Sequence, residues 1–477
     1  MTSTELPGVA WPRSRSSKLP LPPGPKPLPI IGNLLDMPMT NMAPALHRLS
    51  AIYGDLVYLD VVGQPVIVMD RYEDAFALLE SRSANTSERP RLVMAELGGL
   101  MWEFTLLPYN STLKRCRRTF HSYFSQDAIM DYRPIHERGV RRFMNNLLDS
   151  PEDFLAHARR TLSATIMEVV YGIRVENEDN EYVSIVEKGG RIFGEVVAPG
   201  RFLVELLPAL AYLPAWMPGA GFKRNAAKWN KDIKALRDAE GSARTSIDGT
   251  IDDEDFEHCK DVVGVAYTMS ALSAFFLAMV MHPEVQHNAH AELDAVIGPN
   301  RLPSFTDREH LPYVDAVMKE ITRWHPVLPL GITHQTRKDD VYKGYHIPAG
   351  TNLIANNWAM SRDPAVYPDP EKFMPERYLG DAGGRANHKD VSRLLFGYGR
   401  RVCPGRHFAT DALFIFITSM LYAFEILPPL GADGKPQPVQ RKVGLDFLLS
   451  FPEPFACRIV PRSLKAEALV KQSKSHV

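Results

Sequence analysis

Cysteine is scarce in this chain. Four occur in 477 residues, at Cys116, Cys259, Cys403 and Cys457, and no two form a C-x-x-C pair. That spacing argues against a zinc site and a disulfide framework, and fits a reducing compartment in which Cys403 is kept for its chemistry. Charge of one sign is lacking too. The formal net charge is -1, which leaves no electrostatic case for nucleic acid as a partner. Neither G-x-x-x-x-G-K-[ST] nor a strand-linked G-x-G-x-x-G is present, so no nucleotide site is expected. Residues 1–18, MTSTELPGVAWPRSRSSK, hold no apolar run long enough for a signal peptide or a membrane span. There is no internal repeat, and no linker that demands a domain break.

What remains is an ordinary globular composition, with 45% hydrophobic and 23% charged residues. After the short polar N-terminus (1–18) comes LPLPPGPKPLPIIGN, Leu19 to Asn33, which its prolines stiffen into an extended hinge. Leu56–Asp70 reads as two short strands joined at Gly63-Gln64, and Tyr72–Leu79 as helix. Helical periodicity dominates from about residue 110 to 325. Within it, Phe202–Phe222 is unusually apolar and broken by three prolines. Buried helix ends and a turn are one reading of it. Ser246–Glu257 is acidic and reads as a solvated loop. Strand-like segments follow Pro326, among them Thr351–Ala355, and Gln437–Val460 looks β-rich. The expected fold class is mainly α with small β-sheets, a single large domain over 34–462 and a polar tail over 463–477.

The stretch FGYGRRVCPGRHFA, Phe396 to Ala409, carries the most chemistry. Cys403 stands just ahead of an apolar helical run, Phe408–Phe424, where a helix dipole and unpaired N–H groups favour a thiolate. The flanking glycines let backbone approach a large flat ligand, because no Cβ intervenes. Arg400, Arg401 and Arg406 add positive charge. With Phe396, Gly399, Arg401, Cys403 and Gly405 in register, this stretch resembles the haem-binding signature of the cytochromes P450. The resemblance implies that Cys403 is the proximal ligand of a haem b iron, its electron donation favouring O–O cleavage.

Other segments extend the resemblance over residues 20–460. Glu320 and Arg323, three apart in LPYVDAVMKEITRWHP, share a helix face and match the family's ExxR motif. The family's pair recruits an arginine from a later loop, and Arg377 in FMPERY is the candidate. Its implied role is structural, locking the coil that presents Cys403. For the haem propionates the resemblance points to Arg401, to His334 in PLGITHQT, and to Arg117 in KRCRR. There Leu113 stands where the family has tryptophan. The alternative reading of Lys114–Arg118 is a solvated basic face that docks a reductase.

One departure stands out. The family's distal helix carries an acid followed by threonine, which with ordered water delivers protons during dioxygen activation. The corresponding helix here is expected over Lys260–Pro283, with Thr268 opening T-x-S-A-L as the catalytic threonine. In one register the acid position is Ala266, in the other Tyr267, so no carboxylate is supplied. A short internal deletion ahead of Thr268 accounts for this, and Ala235–Gly264 is short for the family. A chain adapted to unusual oxygen chemistry is the other account.

By resemblance to fungal members of specialised metabolism, the implied function is hydroxylation of an apolar, terpenoid-like molecule with O2. NADPH electrons would arrive through a separate flavoprotein reductase. The same likeness implies the endoplasmic reticulum membrane surface as location, and gives the other reading of Phe202–Phe222, a roof over a substrate channel that dips into a membrane. With no transmembrane anchor in this chain, a cytoplasmic or peripheral placement is also open. Two other functions fit these residues: a haem-binding variant with little turnover, or an enzyme using peroxide or rearranging an oxygenated substrate.

Overall fold

Prolines govern how the chain enters the body of the molecule. The structure is a computed structural model that describes residues 19–175, 181–197, 201–244, 264–380, 391–444 and 448–476. Leu19–Asn33 is pinned along the first strand. The Tyr58 N–H donates to Pro23 O at 2.8 Å and the His346 N–H to Pro20 O at 2.8 Å, while Asn33 Nδ2 donates to Pro25 O at 3.0 Å. A Cβ at Gly24 would lie 1.9 Å from Tyr58 O, so glycine is what permits this approach.

The first hairpin pairs β1 (Leu56–Val61) with β2 (Gln64–Met69), antiparallel. Val62 and Gly63 turn between them at positive φ. Further along come β3 (His334–Gln335), a hairpin of β4 (Asp340–Tyr342) and β5 (Tyr345–Ile347), and β6 (Asn352–Ala355). The sheet order is β1-β2-β6-β3, with β6 parallel to β2. Gln437–Val460, expected to be β-rich, holds only scraps: Val443–Gly444 pairs with Phe451–Pro452, and a last strand, Arg458–Pro461, pairs with Phe424–Leu427. The stretch read as a polar tail carries a helix, Leu464–Gln472, whose Val470 is fully buried. Ser246–Glu257 lies outside the described residues.

Helices make the rest. Gly264–Met281 is apolar on every side, the pattern of a helix that is buried all round. Leu272, Phe275, Phe276 and Met279 have no exposure. Around this core helix pack Phe154–Tyr171, Pro312–Trp324 and the helix after Cys403, Arg406–Ala423, and Arg133–Asp149 closes the bundle against the first and last of these. Two serines of the core helix bond inside: Ser273 Oγ donates to Met269 O at 2.8 Å, and Ser270 Oγ sits 3.1 Å from His325 Nε2. No single helix among the described residues is long and apolar enough to cross a membrane.

Phe202–Phe222 resolves toward exposure. One helical turn (Leu203–Leu206) and a 3-10 turn (Pro208–Tyr212) precede the Gly221–Arg244 helix. Leu203, Tyr212 and Trp216 are 63%, 76% and 79% exposed.

In the bundle, Phe143 and Phe416 meet at 4.3 Å between ring centroids, both buried. Phe143→Ala removes that contact and leaves a cavity, at a cost of about 3–5 kcal/mol. Guanidinium unfolding followed by circular dichroism is expected to show a lowered midpoint. An unchanged midpoint would place the pair outside the cooperative core.

Candidate active site

The loop bearing Cys403 is shaped before any ligand is considered. A short helix, Val391–Phe396, ends at Gly397 with φ +78°, and Gly399 follows with φ +54°. The Cys403 N–H then donates to Phe396 O at 2.7 Å, closing the turn. Gly399 is required by packing: its N–H donates to Glu80 Oε2 at 2.6 Å, and an added Cβ would fall 2.4 Å from Leu79 O. Gly405 differs, since a Cβ there would meet open space. Cys403 forms no disulfide and is half-buried, one turn ahead of the Arg406–Ala423 helix. Among the described residues Cys457 likewise forms no disulfide, whereas Cys116 is disulfide-bonded, an exception to the expectation drawn from cysteine spacing.

Cys403, Phe396 and Gly405 line a cavity of about 200 Å³. Thr268 and Tyr267 of the core helix face it as well, together with Arg401, Arg117 and His334. The structure thus brings seven of the expected site residues to one space. Gly399 supports the loop from behind. Glu320, Arg323 and Arg377 stand apart from it.

The cavity's electrostatics are one-sided. Arg401 donates to Ser87 O (2.8 Å) and Leu107 O (2.6 Å), Arg117 to Val402 O (2.7 Å), and His334 Nδ1 lies 2.8 Å from Thr86 O. Arg89 joins them, its Nη1 at 2.8 Å from both Ile332 O and Thr333 O. Burial, then Arg401, holds the Arg89 guanidinium well below its ordinary range, against a smaller pull from Tyr267. Burial likewise lowers Arg117 and brings Arg401 down to about 10, and burial with Arg89 puts His334 well below the usual imidazole range. Among the described residues no carboxylate lines the cavity, although Glu88 acts on Arg401 from outside it. Cations taken from water without a counter-ion are costly, so this arrangement suits an anionic guest. Sequence reasoning missed Arg89, which sits in no motif and is brought to the cavity only by the fold.

Thr268 is buried, with Tyr267 and Ala266 before it, and neither supplies a carboxylate. On the helix Ser111–Phe124, Arg117 turns inward while Lys114, Arg115 and Arg118 are exposed. Leu113, in the place of an indole donor, is fully buried among apolar side chains.

Glu320 and Arg323 form a bidentate pair with both N···O distances at 2.7 Å and no exposure on either. Arg377 Nε donates to Glu320 Oε1 at 3.3 Å, and the Met374 N–H to the same oxygen at 2.8 Å. The remaining donors go to carbonyls: Arg323 to Ser361, Pro370 and Lys372, and Arg377 to Pro368 and Asp369.

The family model of cytochrome P450 matches residues 22–228 and 262–449. This chain belongs to the cytochrome P450 family. Among curated relatives, cytochrome P450 monooxygenase COX2 of Coprinopsis cinerea is 40% identical, covering 98% of this chain and 93% of its own length. Monooxygenase ple1 of Rhodocybe pseudopiperita is 37% identical (94% and 91%), and claR of Ampulloclitocybe clavipes 35% (94% and 88%). The enzyme is therefore a haem-dependent monooxygenase, an oxidoreductase whose electrons come from NADPH through a reductase. The alignment to COX2 runs over 496 positions, more than the 477 residues present, so internal positions of that relative lack counterparts here. Residues 229–261 fall between the two stretches the family model matches.

Glu320→Ala leaves Arg323 and Arg377 buried without their shared anion, a loss of about 3–5 kcal/mol. The expected outcome is little soluble, haem-loaded protein, measured by yield and by the ratio of Soret to protein absorbance. Abundant, stable, haem-replete Glu320→Ala protein would contradict a structural role for the pair.

Proposed function

We propose that Cys403 is the axial thiolate ligand of the haem and that the enzyme hydroxylates an apolar, terpenoid-like small molecule of specialised metabolism. The observation that carries this is a thiol that forms no disulfide facing three arginines and His334 across a cavity that, among the described residues, no carboxylate lines. A haem brings two propionates, and Arg89, Arg117, Arg401 and His334 are the groups to hold them. A carboxylate beside His334 favours the charged ring, whose two N–H groups then serve Thr86 O and the propionate. Arg117 interacts favourably with Cys403 as well. Phe104, Phe120, Ile332 and Leu328 make the walls apolar, which fits a substrate with little polarity. When bound, the haem iron supplies dioxygen activation, promoted by thiolate donation. The protein's part is to orient the substrate and deliver protons at the distal face, where Thr268 is the candidate residue.

Exposed Lys114, Arg115 and Arg118 fit docking of an acidic reductase surface. Leu203, Tyr212 and Trp216, with Ile30 and Leu35 also exposed, fit peripheral contact with the endoplasmic reticulum membrane.

Reduced protein treated with carbon monoxide is expected to show the red-shifted Soret band of thiolate ligation, and Cys403→Ala to lose it. Survival of that band in the variant would overturn the assignment.

A second reading, haem binding with poor turnover, is favoured by the distal wall, where no acid precedes Thr268. Loss of a positioned proton donor typically costs about 10²–10⁴-fold in rate. With a supplied reductase and a substrate shown to bind, product formed per NADPH oxidised is expected to be low. Inserting Ala-Gly-Ala-Asp-Thr between Tyr267 and Thr268 is expected to raise it if a deletion removed the pair. Tight coupling in the unaltered chain would point instead to another proton path.

A further inference from the structure

The N–H groups of Cys403, Arg401 and Val402 bond within their own turn, to Phe396 O (2.7 Å), Tyr398 O (3.1 Å) and Gly399 O (3.2 Å). The Gly399 N–H leaves the turn and meets Glu80 Oε2 at 2.6 Å. The same oxygen accepts from Arg393 Nη1 at 2.8 Å, and Arg393 belongs to the Val391–Phe396 helix that leads into the turn. One carboxylate oxygen thus ties the helix before Gly397 to Gly399, across two glycines in the left-handed region, at φ +78° and +54°. Glycine has no Cβ to restrict such angles, so the direction the turn takes from the helix is set by its outside contacts. The backbone that carries Glu80 is itself unusual. Phe76–Ser81 is wound as a π-helix, a rare form met most often at functional sites. Leu79 O and Ser83 Cβ come within 2.4 and 2.6 Å of where a Gly399 Cβ would stand, which seats this segment directly against the turn.

We propose that Glu80 is a positioning residue for the Cys403 thiolate, holding the turn through the Gly399 N–H in the shape that presents Cys403 to the cavity. A hydrogen bond to an ionised acceptor is roughly twice as strong as a neutral one, and this one acts four residues before the sulfur. On the other flank Arg117 Nη2 donates to Val402 O at 2.7 Å. The turn is therefore gripped at Gly399 by an anion and at Val402 by a cation. Glu80 does not line the cavity, so it acts only through the loop. With the grip at Gly399 gone, the two glycines are free to rotate, and the sulfur is no longer held where it ligates as a thiolate. The proposal rests on Cys403 being the axial ligand and adds what keeps it in place.

The test follows the full-length, haem-loaded protein, reduced and treated with carbon monoxide. Its red-shifted Soret band gives way over time to the shorter-wavelength band of lost thiolate ligation. Glu80→Ala is expected to speed that conversion about tenfold, with the far-ultraviolet circular dichroism unchanged meanwhile. Arg393→Met removes the ion pair and spares the Gly399 contact, and is expected to convert at the wild-type rate. Glu80→Gln keeps an uncharged acceptor and is expected to convert at an intermediate rate; it carries the test if Glu80→Ala does not fold. The proposal fails if the Glu80 variants convert no faster than wild type, or if Arg393→Met converts as fast as Glu80→Ala. It fails too if the band is lost only together with the circular dichroism, which would make Glu80 a support of the fold at large. A wild-type protein without the red-shifted band, or Cys403→Ala with it, defeats the axial assignment and this proposal with it. An unaltered time course in the Glu80 variants defeats this proposal alone.

Discussion

A carboxylate and two guanidiniums, all removed from water, hold the proximal half of this molecule together. The Glu320–Arg323 contact alone would not repay its desolvation. What makes it tenable is that nearly every remaining donor and acceptor is used. Five backbone carbonyls and one N–H between Ser361 and Met374 complete the shell. The coil over that span has little regular structure, and its conformation is dictated by the charges it solvates. Trp324 extends the arrangement, donating to Glu371 O at 3.1 Å with Arg441 4.2 Å above its ring.

The cavity is built on the opposite principle. There Arg401 is buried and Arg89 and Arg117 partly so, and their hydrogen bonds go to carbonyl oxygens, which cannot neutralise them. One set of buried charges is closed upon itself and serves the fold, and the other is left open and serves binding. Local sequence does not separate the two, because an arginine in either set looks alike. The partners decide, and the partners come from distant segments.

That difference explains what could be read in advance. The Cys403 loop and the Glu320/Arg323 pair were legible because their geometry follows from residues a few positions apart: a closed glycine turn, and an i,i+3 helix spacing. The first hairpin was legible for the same reason. Arg89 was not, since it reaches the cavity through carbonyls at Ile332 and Thr333. Glu80 was silent too, as it meets Gly399 from 319 residues earlier in the chain. The apolar run from Phe202 to Phe222 allowed burial or exposure equally, and only the packing decided. Gln437–Val460 was read as richer in strand than it is, because apolar residues there pack against the helical core without pairing.

The one-sided charge of the cavity also bears on how the protein matures. A newly made chain without its cofactor carries three arginines here, Arg89 and Arg117 each repelling Arg401, which weakens the native state around the cavity. Binding of a dianionic cofactor turns repulsion into attraction and adds its binding free energy to the native state alone. The stability of the native state is thereby tied to cofactor supply, since filled chains gain what unfilled chains lack.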